Sequence, residues 1–291
     1  MIISPVPTIA FVTSQQYPQL TADDHLAVLE LERAGLTVRP AIWTDARVDW
    51  SAFDLVILRS MWDYHLQGGA FFRWLQMLEV TDARVWNPLP LARWNADKRY
   101  LRDLGEAGIR IVPTVWFERG ERPDLLHAME VQGWREAVIK PVMSSTAFRT
   151  WRVRREEALL CQNELHALLA ERPAMIQEFQ SAIVREGEWS LVFLDGEPSH
   201  AVLKTAVPGD FRVQEEFGGI ARSLTAPADA MEQARQAIAA AGSPWLYARV
   251  DGVQSADGFR LMELEMLEPS LYFVEHPPAA RRFAQAIRRL L

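Results

Sequence analysis

Unbroken apolar runs alternate with stretches of helical spacing in the first third of the chain. Thr8-Ile9-Ala10-Phe11-Val12 reads as a buried strand, residues 22–34 recur with helical spacing up to Gly35, and residues 36–42 form a second strand. Asp54-Leu55-Val56-Ile57-Leu58-Arg59 is nearly all apolar, the pattern expected when both faces of a parallel sheet are covered. A helix over 71–79 and a short strand over 84–86 complete an open α/β unit, whose ligands are expected at the carboxyl ends of its strands. That rule points to the segment after the third strand, where Arg59, Ser60, Asp63 and Tyr64 would line a substrate pocket. Arg59 can hold a carboxylate through a two-pronged hydrogen bond, and Asp63 an ammonium group. The competing reading is a loop whose aromatics cap the sheet and whose Arg59 pairs with Asp63.

Beyond residue 94 the pattern changes to α+β. Asn95 is placed to cap a helix running to Ala107 and ending at Gly108. Residues 109–114 are extended, 124–131 helical, and 137–141 an apolar strand ending in Lys140-Pro141. A run of small residues, 142–147, precedes a strand over 148–153, a helix over 156–170 and a strand over 174–179. Residues 188–194 and 200–206 form a hairpin around Asp195-Gly196, and a long helix over 228–241 follows two glycine-bearing turns.

The most informative stretch is the last hairpin, residues 248–253 and 259–266, where both halves alternate with period two about Ala256-Asp257-Gly258. With those three residues as the loop, Ser255 faces Phe259, Asp251 faces Glu263, and Arg249 faces Glu265. One face then carries three carboxylates and an arginine, the other Val250, Met262, Leu264 and Met266. Like charges opposed on a sheet repel, so Asp251 facing Glu263 calls for a cation between them. Hard oxygen ligands suit magnesium, with manganese as an alternative. A solvated strand face with Arg249 and Glu265 as a surface pair is the plainer reading.

Composition narrows the class. The chain has 291 residues, 49% of them hydrophobic, and a formal net charge of -7. That length allows two domains, and the acidic balance disfavours nucleic acid and anionic membranes as general partners. A bound anion therefore needs a local basic pocket. Lys140, at the end of a buried strand and followed by Ser144, Ser145 and Thr146, suits phosphate, although a lysine at a strand end also simply reaches to water. Lys204 and Arg212 add cations. Cys161 is the only cysteine, so an internal disulfide is excluded and a reducing, cytoplasmic setting is expected. No apolar run reaches membrane-spanning length, and the N-terminus lacks the pattern of an export leader. A dinucleotide fingerprint, a P-loop, a nucleophile elbow and a zincin helix are all absent from the sequence.

Taken in order, Asn95-Ala96-Asp97-Lys98, Val138-Ile139-Lys140-Pro141 with its serine loop, Gln177-Glu178-Phe179, Pro208-Gly209-Asp210-Phe211-Arg212 before Gly218-Gly219, Arg249-Val250-Asp251 and Glu263-Leu264-Glu265 resemble the ATP-grasp superfamily. The resemblance spans about two thirds of the chain. It is nearest to glutathione synthetase-like and ribosomal-protein glutamate-ligase-like members, and to the cyclo-ligase of cycloserine biosynthesis. It implies an N-terminal α/β domain (1–94), a small lobe (95–180) and a C-terminal lobe (181–291), with ATP between the lobes. Lys98 and Lys140 would bind phosphate, Ser144, Ser145 and Thr146 would cover it, and Gln177, Glu178 and Phe179 would meet the adenine. Glu186 or Glu188 would meet the ribose, and Asp251, Glu263 and Glu265 would hold magnesium. Arg212, Lys204 and Arg249 would stabilise the reacting phosphoryl group.

The implied activity is an ATP-dependent carboxylate-amine ligase working through an acyl phosphate on a small amino-acid-like substrate, including cyclisation within one molecule. A nucleotide-binding protein without catalysis and a phosphotransferase are the alternatives. Substrate contacts are expected from residues 59–64 and 267–273. The partners would be a small carboxylate and an amine, and self-association is left open.

Overall fold

A computed structural model describes residues 6–242 and 244–291. The reading of the N-terminus as free of an export leader falls in part on residues 1–5, outside the described residues. β1 (Thr8–Thr13), α1 (Ala22–Arg33), β2 (Thr37–Ile42), β3 (Leu55–Ser60), α2 (Gly68–Glu79) and β4 (Val85–Trp86) build a parallel sheet of order β2-β1-β3-β4. β3 is buried along its full length, as its unbroken apolar run requires.

Two short helices follow, α3 (Leu89–Asn95) and α4 (Tyr100–Glu106), in place of the single helix expected over 95–107. Asn95 closes the first rather than capping the second. Its amide donates to the Leu264 carbonyl at 2.7 Å and accepts from the backbone N–H groups of Met266 and Leu267 at 2.6 and 3.0 Å. A long-range partner has displaced the local capping role that the residue type suggested.

The next layer comprises β5 (Thr114–Phe117), α5 (Leu125–Val131), β6 (Glu136–Pro141), β7 (Trp151–Arg154), α6 (Ala158–Glu171) and β8 (Ala174–Glu178). Its sheet is antiparallel, of order β5-β8-β6-β7. Leu125, Met129, Leu165 and Leu168 of the two helices cover one face against Ile139, Val153 and Ile176. The strand expected over 148–153 starts only at Trp151, because residues before it are turned: Thr146, Ala147 and Arg149 take φ of 49°, 53° and 46°.

The third sheet is antiparallel, of order β11-β10-β9-β12-β13. It is made by β9 (Glu188–Leu194), β10 (Glu197–Thr205), β11 (Ile220–Ser223), β12 (Tyr247–Ser255) and β13 (Gly258–Glu265). A single turn, α7 (Ala182–Arg185), leads into it, and α8 (Ala228–Ala241) packs Ala230, Ala234 and Ile238 beneath β12 and β13 with Val250 and Leu264. α9 (Pro278–Arg289) leaves this sheet and lies on α1, so Phe283 and Ile287 share a core with Ile9, Phe11 and Leu31. Asn87 fastens the two sheets: its amide donates to the Tyr247 and Met266 carbonyls and accepts from the Leu246 N–H.

Candidate active site

The β12–β13 hairpin sets Arg249 opposite Glu265 and Asp251 opposite Glu263, as the alternation required. The route to that register differs from the expected one. Ser255 pairs with Gly258 instead of Phe259, so the loop is a residue shorter, and a bulge between Asp251 and Gly252 restores the count. Met262 is the extra residue. It therefore leaves the apolar underside assigned to it and lines the cleft with Phe179 and Phe211.

On one face of the third sheet the charged residues form two neighbouring rows. Lys204 of β10 faces Glu188 of β9, Ser190 of β9 faces Asp251 of β12, and Asp251 faces Glu263. Lys204 Nζ lies 2.6 Å from Glu188 and 3.7 Å from Asp251. Burial alone would lower this ammonium, but Asp251 and then Glu188 outweigh it and hold it above its ordinary value. Arg249 spans Asp251 and Glu265 at 2.8 and 2.6 Å, and donates to the Ser270 carbonyl at 3.0 Å. Burial would raise Asp251, yet Arg249 and Lys204 keep it below the usual range. Glu265 moves the other way: burial, with Glu263 and Asp251 close by, overcomes Arg249 and pushes it up to about 7.

Lys98, between α3 and α4, and Lys140, in β6, differ in kind. Lys98 Nζ contacts Glu263 at 2.5 Å and the Ser144 carbonyl at 2.8 Å, tying the serine loop to β13. Lys140 also lines the cleft, but among the described residues its ammonium has no hydrogen bond or ion pair. Desolvation lowers it, with Glu263 only partly opposing.

Ser144, Ser145, Thr146, Gln177, Glu178, Phe179, Glu188, Arg212 and Tyr64 line the same cleft. Arg152 stacks on Phe179, 3.7 Å from its ring centroid, and Phe179 meets Phe211 edge-on, making an aromatic end to the cleft. Arg212 is folded back onto Asp210 at 2.8 Å and over the Phe217 ring at 3.7 Å.

Four expected site residues lie elsewhere. Arg59 is 2% exposed and grips Asp24 at 2.8 Å and the Pro269 carbonyl at 3.1 Å. It neither opens into the cleft nor pairs with Asp63, whose carboxylate accepts from the Trp43 indole at 2.7 Å. Ser60 is buried against Thr13 and Ser14. Their burial follows from β3 being an interior strand whose last residues still point into packed layers. Glu186 is exposed at the end of α7. Gly187, at φ 99°, turns the chain between it and Glu188, so only Glu188 enters the sheet facing inward. A Cβ at Gly187 would stand 2.5 Å from the Lys204 carbonyl, so this turn needs glycine.

Trp62, within the 59–64 segment expected to touch substrate, lines the cleft; Tyr100, Met262, Glu268 and Ser270 also line it and were not singled out from sequence. The bulge that redirects Met262 leaves no mark in the alternation. Glu268 and Ser270 fall within the 267–273 segment expected to touch substrate, yet an acid between Leu267 and Pro269 carries no local signal.

Asp251, Glu263 and Glu265 each offer an oxygen within 4.8 Å of the others, a hard-oxygen donor set that fits a magnesium-like ion. Glu263 and Glu265 each retain a second oxygen beyond the one that meets Lys98 or Arg249. The same cleft therefore offers cations for phosphate, carboxylates for a metal and an aromatic end for a base.

A family described as the N-terminal domain of D-cycloserine synthetase DcsG matches residues 9–87. The chain is 33% identical over 274 residues to the cycloserine biosynthesis protein DcsG of Streptomyces lavendulae, covering 88% of this chain and 90% of that one. It superposes on the crystal structure of D-cycloserine synthetase DcsG with TM-score 0.88 and 31% identity, covering 98% of this chain and all 100% of that one. The D-alanine–D-alanine ligase of Bacillus anthracis complexed with ATP shares the fold at TM-score 0.68 and 15% identity, with 98% and 97% covered. Among the described residues no helix is long and apolar enough to cross a membrane. With this fold and this relative, the chain belongs to the D-cycloserine synthetase DcsG family of ATP-grasp ligases, ATP-dependent enzymes that form carbon–nitrogen bonds.

Proposed function

We propose that this ligase uses ATP to phosphorylate the carboxylate of a small amino-acid-like substrate and that a nitrogen of the same molecule then displaces the phosphate. The observation that carries the reading is the single cleft in which Lys98, Lys140, Lys204 and Arg249 face Asp251, Glu263 and Glu265. Phosphoryl transfer needs positioning and charge neutralisation rather than a protein nucleophile, and this set supplies both. Lys140, half-buried and unpartnered among the described residues, and Lys98 would take phosphate oxygens. Phe179, Phe211 and Met262 would enclose the base, and Glu188 would meet the ribose. Ser144, Ser145 and Thr146 would cover the phosphates. Asp251, Glu263 and Glu265 would hold magnesium, which when bound neutralises phosphate charge. Arg249 and Lys204, fixed by Asp251, present their positive charge where an oxyanion would develop. Cyclisation is favoured by the relationship to the cycloserine biosynthesis protein.

The test is ADP and phosphate release with a panel of amino acids and their derivatives, followed by mass spectrometry of the product. A carboxylate labelled with heavy oxygen should pass one label to the released phosphate, and the cyclic product should be lighter than the substrate by one water, its oxygen carried off on phosphate. ADP release without label transfer would exclude the acyl phosphate. A stable phosphorylated product would make the enzyme a phosphotransferase.

A further inference from the structure

One buried acid in the cleft has no ion-pair partner among the described residues. Glu188, Asp251, Glu263 and Glu265 are each paired with Lys204, Arg249 or Lys98. Glu268 is 6% exposed and lines the cleft, yet among the described residues its carboxylate makes no hydrogen bond or ion pair. An acid this deep is stable only if it is protonated or if something else supplies a donor.

The backbone around Glu268 is fixed on all sides. Trp62 donates to the Glu268 carbonyl at 2.8 Å, Arg59 to the Pro269 carbonyl at 3.1 Å and Arg249 to the Ser270 carbonyl at 3.0 Å. Asn95 accepts from the Leu267 N–H on one side, and Asp23 from the Leu271 N–H at 3.0 Å on the other. A loop held by that many side chains presents its one unsatisfied group in a fixed place. Burial, then the nearby Glu265, pushes this carboxyl up to about 8, the behaviour of an acid that has not met its cation.

Resting on the ligase reading above, we propose that Glu268 binds the protonated amine of the substrate. The substrate is then an amino acid derivative rather than a plain carboxylic acid, its ammonium held by Glu268 while the carboxylate lies toward Arg249 and Lys204. Trp62 and Tyr64, which line the same end of the cleft, would wall the amine off from water. Closing out water strengthens the ion pair and gives selectivity against molecules lacking the amine, because the buried acid would then stay unpaired.

The experiment measures ADP release over a panel of amino-acid derivatives and their des-amino counterparts, using the full-length wild type and Glu268→Gln. The expected result is turnover of an amine-bearing substrate by wild type, with KM raised at least tenfold in Glu268→Gln while KM for ATP and thermal stability are unchanged. The des-amino counterpart should compete poorly with wild type and equally poorly with the variant. An unchanged substrate KM in Glu268→Gln, or a des-amino compound that competes as well as the substrate, overturns the assignment and leaves the ligase reading standing. Parallel loss of ATP affinity also overturns it, since that places Glu268 at the nucleotide. Absence of any ATP-dependent turnover by wild type would instead bring down the ligase reading and this inference with it.

Discussion

Lys98 and Lys140 are the same residue type, in the same cleft, in opposite electrostatic states. Lys98 is satisfied by Glu263 and the Ser144 carbonyl, whereas Lys140 is half-buried without a partner among the described residues. Removing an unpaired buried charge relieves a desolvation penalty, while removing one member of a pair leaves the other exposed to it. Lys140→Met should therefore hold or raise the melting temperature without nucleotide, and Lys98→Met should lower it. Both should weaken ATP binding by about 1.5–3 kcal/mol, the worth of a hydrogen bond to a charged group. Calorimetry with and without ATP separates these effects, and a nucleotide-free Lys140→Met that melts well below wild type would contradict them. Arg59 belongs to the paired class: its partner Asp24 is also buried, so Arg59→Ala should destabilise by about 3–5 kcal/mol in denaturant titration. From local sequence alone, a strand ending in Lys140-Pro141 before small hydroxyl residues suits phosphate or a lysine reaching to water, and only the order of the motifs pointed both lysines to phosphate. The pairing of Arg59 was not legible, because its partners stand at positions 24 and 269, too far along the chain for any local pattern to connect.

The period-two alternation of the last hairpin placed its three carboxylates together, although the expected loop and the observed bulge differ by compensating single residues. Alternation reports which face a side chain takes, and a bulge adjacent to a shortened loop leaves that parity unchanged for Asp251, Glu263 and Glu265 while reversing Met262. Gly252 stands at the bulge, where a Cβ would lie 2.4 Å from the Arg260 carbonyl oxygen and 2.4 Å from the Phe259 ring. Backbone cannot yield by that much without sliding one strand on the other. Gly252→Ala should accordingly destabilise by about 1–3 kcal/mol and, by shifting Asp251 against Glu263, raise the magnesium needed for half-maximal ADP release. A variant with wild-type stability and magnesium dependence would remove the bulge from the site's construction. The interior strands and the long helix over 228–241 were likewise plain from periodicity. The break between α3 and α4 was not, because it is imposed by Asn95 reaching over to the end of β13.

The largest departure from the sequence reading lies in how the ends of the chain meet. All four strands of the parallel sheet fall before residue 94, yet α9, from residues 278–289, lies on α1 and buries Phe283 and Ile287 against Ile9, Phe11 and Leu31. Phe283→Ala should cost about 3–5 kcal/mol, a large part of the roughly 5–15 kcal/mol that keeps a domain folded. Deleting residues 278–291 should leave a chain that aggregates, read by size-exclusion chromatography and near-ultraviolet dichroism. A monomeric, native-like truncation would show that α9 is dispensable. A ribosome makes Ile9 and Phe11 early and Phe283 near the end, some 270 residues later, roughly fifteen to fifty seconds at about 5–20 residues per second. Throughout that interval one side of the first sheet is covered only in part, by α1. The nascent chain should thus need holding chaperones through that interval, and synonymous codon changes that slow translation between Phe11 and Phe283 should lower soluble yield without altering the finished enzyme.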